Sequence, residues 1–194
     1  MLHDKSLSSI ASRTFDSPFE RFVATALSVA PARDHQALFA VFVEGGGLTA
    51  QLAHILQSRQ QSDAYAAGSY GHANGFDKIL VGRSSGGAFH LRVHFWPGQD
   101  FEEQNVHDHR FEFWSYVLRG TIVSHVWRPC ADGREFRRYT YEPRGSADSY
   151  VLKGHEMALL NIAGSETWPE GSVYAFGHHK LHRSEEHTSE LQSH

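Results

Sequence analysis

Sulfur and long apolar runs are both scarce in this sequence. Its 194 residues include one cysteine, Cys130, and two methionines, which excludes an internal disulfide and makes a cytoplasmic chain the simplest expectation. No apolar segment approaches the roughly 18 residues that a membrane span requires. The N-terminus also lacks the charged start and apolar stretch that are typical of a secretory signal. We therefore expect no membrane partner.

An excess of positive charge is absent as well. The 18 basic residues are outnumbered by 22 acidic ones, for a formal net charge of −4, and the two signs are interspersed. Nucleic-acid surfaces usually carry a basic patch or stripe, so we expect no nucleic-acid partner. The partner that remains is a small-molecule substrate, with a homodimer left open.

Histidine, in contrast, is abundant. The chain holds 15 histidines, and imidazole is the commonest metal ligand in proteins. Their positions in the chain therefore decide which of them are candidates for a metal site.

The last twelve residues are unlike the rest of the chain. The segment 183–194, "RSEEHTSELQSH", is polar and without periodicity, and it resembles the in-frame translation of a common sequencing adapter. We set it aside as a non-native tail. The expected consequence is a β-domain truncated after His182, with this residue at a frayed end.

The first third of the chain is predicted to be helical. "SPFE", which begins at Ser17, has the form of a capping box with proline at the first helical position. It predicts a helix that ends before Pro31. A second helix is predicted from about Asp34 to the glycines at 45–47, and a third over "LTAQLAHILQSRQQ". With the Gly- and Ser-rich linker "AAGSYGHANG", these segments form a predicted N-terminal helical region, residues 1–75.

Residues 76–182 change to short strand-like runs separated by turn residues. The predicted strands are "KILVGR", "FHLRVHFW", "VHDHRFEFWSYVL", "TIVSHVW", "FRRYTYE", "SYVLK", "MALLNIA" and "SVYAF". Regular turn signals between eight short strands indicate an antiparallel sandwich or small barrel. The predicted fold class is therefore mainly β, an antiparallel barrel preceded by helices.

One predicted strand carries two histidines with a single residue between them. Residues two apart on a strand project from the same face, so the side chains of His107 and His109 are expected to lie side by side. That arrangement suits two imidazole ligands of one metal ion.

The same stretch resembles the first motif of the cupin superfamily, G-x5-H-x-H-x3,4-E-x6-G. His107, His109 and Gly120 fall on its spacing, whereas Phe113 stands in the place of the glutamate and Phe101 in that of the leading glycine. The resemblance implies a jelly-roll β-barrel. It also implies that the usual glutamate ligand is missing, because phenylalanine cannot bind a metal.

The second cupin motif, G-x5-P-x-G-x2-H-x3-N, is matched in part. Gly171 and His182 have the expected separation, with Gly177 and His179 where the proline and inner glycine would stand. The implied ligand set is therefore His107, His109 and His182, with His179 as the next choice for the third ligand. Three histidines resemble the thiol dioxygenase branch of the cupins, in which such a set holds Fe(II).

A polar stripe on a neighbouring predicted strand offers candidates for substrate binding. In "FHLRVHFW", His90, Arg92, His94 and Trp96 share one face by strand parity. Arg92 could bind a substrate carboxylate in a fork, with His94 or Tyr174 as a second contact. Some thiol dioxygenases likewise place an arginine on an early strand.

The sequence favours a three-histidine Fe(II) dioxygenase that acts on a small anionic or thiol substrate. Two alternatives stay open. One is a non-catalytic cupin that binds a small ligand, which the missing glutamate favours. The other is a cupin isomerase or hydrolase that uses Zn, Mn or Ni.

Overall fold

The chain folds into two compact units, Met1–Phe101 and Glu102–His194. A computed structural model describes residues 17–28, 34–72, 74–96, 105–109, 111–143 and 150–187. Helices and a small sheet form the first unit, and the second consists of antiparallel strands. The prediction of a mainly β protein with N-terminal helices is confirmed.

Four helices lie in the described part of the N-terminal unit: α1 Pro18–Ser28, α2 His35–Glu44, α3 Gly47–Leu56 and α4 Arg59–Ala66. The predicted cap of α1 is confirmed, since the Ser17 hydroxyl accepts a hydrogen bond from the Glu20 N–H at 3.2 Å. The single helix predicted over 48–61 is wrong. The backbone is extended at Ser58, so α3 ends before this residue. The Ser58 hydroxyl accepts a hydrogen bond from the Gln61 N–H and so caps α4.

None of the described helices alone has the length and apolar composition to cross a membrane. Helices α2 and α3 meet that criterion only as a pair, and the pair is bent by 64°.

The first sheet is antiparallel and has the strand order β1-β2-β3. Its strands are β1 Tyr70–Gly71, β2 Asp77–Arg83 and β3 His90–Phe95. Strand β1 lies within the segment predicted as a linker, where Tyr70 pairs with Lys78. A bulge shifts the register of β2 against β3 between Leu80 and Gly82.

The core of the N-terminal unit joins the helices to this sheet. It consists of buried side chains from α1, α3, β2 and β3, namely Phe19, Val23, Ile55, Val81 and Leu91. Because β2 and β3 bury their apolar face against helices, the structure groups them with the helical unit. The compact units therefore divide after Phe101, later than the boundary predicted after residue 75.

One buried polar side chain, Gln51, ties α3 to both α1 and β2. Gln51 is fully buried. Its Oε1 accepts from the Phe19 N–H at 3.1 Å, and its Nε2 donates to the Val81 carbonyl at 2.9 Å. The first bond satisfies a donor in the opening turn of α1, where no intrahelical acceptor exists. Gln51 therefore fixes the position of the helices on the sheet.

The C-terminal unit contains strands β4 Phe113–Tyr116, β5 Thr121–Pro143, β6 Tyr150–Pro169, β7 Val173–Phe176 and β8 His182–His187. They form two antiparallel sheets. One pairs β4 with β7, and the other has the order β6-β5-β8.

A long hairpin of β5 and β6 replaces four of the predicted short strands. The turn predicted at "PCADG" is wrong, because β5 continues through these residues with a local irregularity in its pairing. Pro129 and Arg134 are both in register with Leu160, so the residues between them form a bulge. At Gly133 an added Cβ would lie 2.7 Å from the Leu160 backbone, so this close approach requires glycine.

Strand β8 pairs with the start of β5, from Val126 opposite His182 to Thr121 opposite His187. Residues 183–187, which the sequence analysis set aside, thus extend the sheet. The expectation that His182 lies at a frayed end is wrong, since its side chain is only 3% exposed. His182 is buried because the backbone groups on one edge of β5 would otherwise be unpaired, and residues 182–187 pair with them as β8.

Substitution of Gln51 by alanine is predicted to destabilise the N-terminal unit. The Phe19 N–H and the Val81 carbonyl would both lose a buried partner, which lowers the free energy of unfolding by about 2–4 kcal/mol. Urea denaturation followed by circular dichroism measures the change. Gln60→Ala, at an exposed site on α4, is the matched control. Equal midpoints for the two variants would contradict this role of Gln51.

Candidate metal centre

A pair of backbone hydrogen bonds brings the two histidine-bearing segments together. The His107 N–H donates to the His182 carbonyl at 3.0 Å, and the His182 N–H donates to the His107 carbonyl at 2.9 Å. This isolated antiparallel bridge places the two side chains next to each other. His109 follows two residues later, and its ring lies 5.0 Å from that of His107 and 5.0 Å from that of His182.

The three imidazoles converge on one point. One ring nitrogen from each of His107, His109 and His182 can be chosen so that all three lie within 4.8 Å of one another. Nε2 of His109 and Nε2 of His182 are 3.4 Å apart. Two nitrogens at about 2.1 Å from one ion are separated by about 3.4 Å in tetrahedral and about 3.0 Å in octahedral geometry. The observed distance therefore fits a shared divalent ion.

Hydrogen bonds at the opposite ring nitrogen orient two of the histidines. Nδ1 of His107 lies 2.9 Å from the Asn105 carbonyl, and Nδ1 of His182 lies 3.0 Å from the Lys180 carbonyl. Because a carbonyl only accepts, each Nδ1 carries the proton, and Nε2 of the neutral ring keeps its lone pair. Metal-binding histidines commonly have such a partner, which fixes both the tautomer and the ring orientation.

Burial keeps His182 neutral. Desolvation lowers the pKa of His182 to about 4, against the opposing effect of its hydrogen bond to the Lys180 carbonyl. The nearby charges of His107 and Lys180 lower it further, and Asp108 raises it. At neutral pH this ring is therefore unprotonated, as a metal ligand must be.

Aromatic rings enclose the cluster on one side. The Phe176 ring stacks on His182, with 4.3 Å between centroids and 13° between planes. The Phe113 ring contacts His109 edge-on at 4.7 Å and packs against Phe176 at 5.5 Å. Phe113 thus contributes an apolar wall, while its neighbour Glu112 is exposed. Among the described residues, the donor cluster consists of the three histidines alone.

An ion pair holds the segment that orients His182. Nζ of Lys180 lies 2.9 Å and 2.8 Å from the two carboxylate oxygens of Glu166 on β6. The same ammonium lies over the Phe176 ring, 4.5 Å from its centroid. Lys180 therefore connects β6, the aromatic wall and the carbonyl that binds His182. No sequence pattern marks Lys180 and Glu166, because only the fold brings them together.

Two other residues from the sequence analysis lie near the cluster but outside it. Tyr174 is separated from His109 by one ring, since Phe113 contacts both. Burial raises the pKa of Tyr174, and a side-chain hydrogen bond with Ser115 opposes this shift. His179, the next choice for the third ligand, has a side chain that is 86% exposed, and its Nδ1 lies 3.7 Å from the Asp108 carboxylate.

The two remaining candidates, Arg92 and His94, lie on β3 in the N-terminal unit, whereas the three histidines and Tyr174 belong to the C-terminal unit. Their role in substrate binding stays a prediction.

Comparison with known proteins gives no match, either to a family model, to a curated protein or to a solved structure.

The metal-free protein is predicted to lose stability in acid through His182. Between about pH 6.5 and 4 the unfolded chain holds a proton on this residue that the folded chain excludes. The free energy of unfolding therefore falls as the pH is lowered through this window, by at most about 3 kcal/mol. Urea titrations at several pH values measure it.

The variant His182→Gln is the control, because glutamine does not titrate. The stability difference between the parent and this variant should shrink as the pH falls from 6.5 to 4. A difference that stays constant over this range would show that the histidine is not held neutral by the fold.

Proposed function

We propose that His107, His109 and His182 hold a divalent metal ion and that the protein uses it in catalysis. The observation that supports this most directly is the convergence of three ring nitrogens within 4.8 Å. Two of these rings also have Nδ1 committed to a backbone carbonyl. Rings fixed in this way lose little further freedom when they bind an ion.

Three protein ligands leave coordination positions free, which distinguishes catalytic from structural sites. We infer a non-haem Fe(II) dioxygenase of the cupin type, with the two antiparallel sheets of the C-terminal unit as part of a jelly roll. When bound, Fe(II) supplies adjacent positions at which a small anionic or thiol substrate and O₂ meet. The histidine-only ligand set supports this assignment.

The residues of the chain contribute positioning and the exclusion of water. Phe113 and Phe176 present apolar surface to His109 and His182, which strengthens electrostatic interactions in the site. Lys180 holds the His182 ring through its carbonyl. Within the same unit, Tyr174 on β7 is the candidate to orient the anionic group of the substrate.

A second candidate function is supported by the ligand set. Three histidines with an open position also hold Zn²⁺ in catalytic sites, and here one ring nitrogen from each histidine lies within 4.8 Å of the others. A Zn, Mn or Ni isomerase, or a non-catalytic cupin that binds a small ligand, would use the same three histidines. Metal identity and O₂ consumption distinguish these functions.

Purified protein loaded anaerobically with Fe(II) is predicted to retain about one ion per chain after gel filtration. The double change His107→Ala and His109→Ala should abolish retention, because one imidazole cannot hold the ion alone. Metal analysis by mass spectrometry measures the stoichiometry. His155→Ala, at an exposed position on β6, is the matched control and should keep the ion.

Unchanged metal content in the double variant would overturn the metal site. O₂ uptake with a panel of thiols and small acids then tests the activity of the loaded protein. Uptake that depends on both Fe(II) and a substrate supports the dioxygenase. Stoichiometric retention of zinc, without substrate-dependent uptake in the iron form, supports the second candidate function.

A further inference from the structure

Cationic side chains gather on one face of the β2–β3 pair, in the N-terminal unit. Lys78 of β2 lies directly opposite His94 of β3, and Arg92 is in register with Leu80, two residues further along β2. Lys78 and Arg92 are thus diagonal neighbours on the same face, a distance that long side chains bridge.

The charges in this group repel one another. Desolvation lowers the pKa of Lys78 to about 8, and the Arg92 guanidinium lowers it further. The pKa of His94 is lowered to about 3. Desolvation is the largest cause, and the charges of Lys78, Arg92 and His72 lower it as well. Among the described residues, every charge that acts on these two groups is cationic. The part of the chain that the structure describes therefore holds two positive side chains together and places no carboxylate between them.

Two hydrogen-bond donors on this face also lack an acceptor. Nε of Arg92 and Nε1 of Trp96 are buried and have no partner among the residues that the structure describes. Buried donors are nearly always paired in folded proteins, because an unpaired one costs about 1–3 kcal/mol. The Lys78 ammonium lies over the Tyr70 ring, 6.0 Å from its centroid, but it faces no carboxylate among the described residues. Unpaired donors beside such cations suit an anionic acceptor.

Aromatic rings lie next to the cations. The Phe76 ring contacts His94 at 4.8 Å and Trp96 at 4.9 Å, and His72 stacks on Phe76 at 4.5 Å. These rings form a partly exposed apolar surface beside the charged groups. Such a surface suits the carbon skeleton of a ligand whose anionic end lies at Lys78 and Arg92.

We propose that this face binds an organic anion, with its carboxylate or phosphate group between Lys78 and Arg92 and its skeleton along the Phe76 ring. Trp96 lies four residues beyond Arg92, just after the end of β3, and an extended backbone separates their Cα atoms by about 13 Å. An organic ligand with a second acceptor can span this separation, and its skeleton would add contacts with the Phe76 ring that a small inorganic ion cannot make. The site lies in the N-terminal unit and does not depend on the metal.

The test is a titration of the full chain with phenyl phosphate, benzoate and inorganic phosphate at constant ionic strength, set with chloride. The ¹⁵N–¹H signal of the Trp96 indole, assigned with Trp96→Phe, reports binding. We expect saturable shifts with at least one organic anion and weaker binding of inorganic phosphate. The tighter of the two organic probes identifies the anionic group.

Lys78→Gln and Arg92→Gln should each weaken binding at least tenfold. Lys153→Gln, which removes an exposed lysine paired with Glu142 on the β5–β6 hairpin, is the matched control and should bind as the parent does. Saturation should also raise the pKa of Lys78 toward its ordinary value in the parent, a readout that needs no variant.

Three results would overturn the proposal: no saturable shift with any probe, inorganic phosphate binding as tightly as phenyl phosphate, or unchanged affinity in Lys78→Gln. The double change His107→Ala and His109→Ala should leave anion binding intact. Failure of the metal site and failure of the anion site are therefore separable.

Discussion

The candidate metal centre depends on the reciprocal backbone hydrogen bonds between His107 and His182. These residues are distant in the chain, and no local preference would bring their side chains together. The backbone of His182 is also paired with Val126 on β5, so β8 is fixed from both sides where the ligand projects. His109 completes the cluster because it follows His107 at short range. One non-local contact thus converts a pair of neighbouring histidines into a three-nitrogen site.

The buried polar groups of this protein are of two kinds, those with hydrogen-bond partners and those without a described partner. Gln51 is fully buried and makes hydrogen bonds to α1 and β2, which is how a structural polar group is stabilised. Arg92 and Trp96 carry buried donors without described acceptors, an arrangement that favours a ligand over a structural role. The histidine cluster is intermediate between these two cases. Nδ1 of His107 and Nδ1 of His182 are paired with backbone carbonyls, while Nε2 of His182 lies 3.4 Å from Nε2 of His109.

The sequence predicted those features that arise from short-range patterns. The cap at Ser17 and the antiparallel character of the strands follow from capping chemistry and alternation, and the proximity of His107 and His109 follows from their spacing. The approach of His182 was implied only by the resemblance to the second motif, since it depends on a non-local backbone pairing. The end of α3 before Ser58 and the joining of four predicted strands into one hairpin could not be predicted from such short-range patterns. Each depends on tertiary pairing that outweighs local turn signals, as at the bulge opposite Leu160. The contribution of Lys78 beside Arg92 was missed for the same reason, because register between strands is not encoded locally.

Among the described residues no carboxylate joins the three imidazoles, and this connects the proposed metal to the proposed substrate. Three imidazoles are neutral ligands, so a divalent ion bound by them would keep its full double charge, whereas a glutamate at position 113 would reduce it. The rings of Phe113 and Phe176 present apolar surface to His109 and His182, and a lower local dielectric would strengthen the field of a bound ion. Such a centre attracts an anionic ligand to its open positions more strongly than a three-histidine, one-carboxylate centre would. The apolar Phe113 side chain supplies no negative charge, so an anionic substrate would have to provide it.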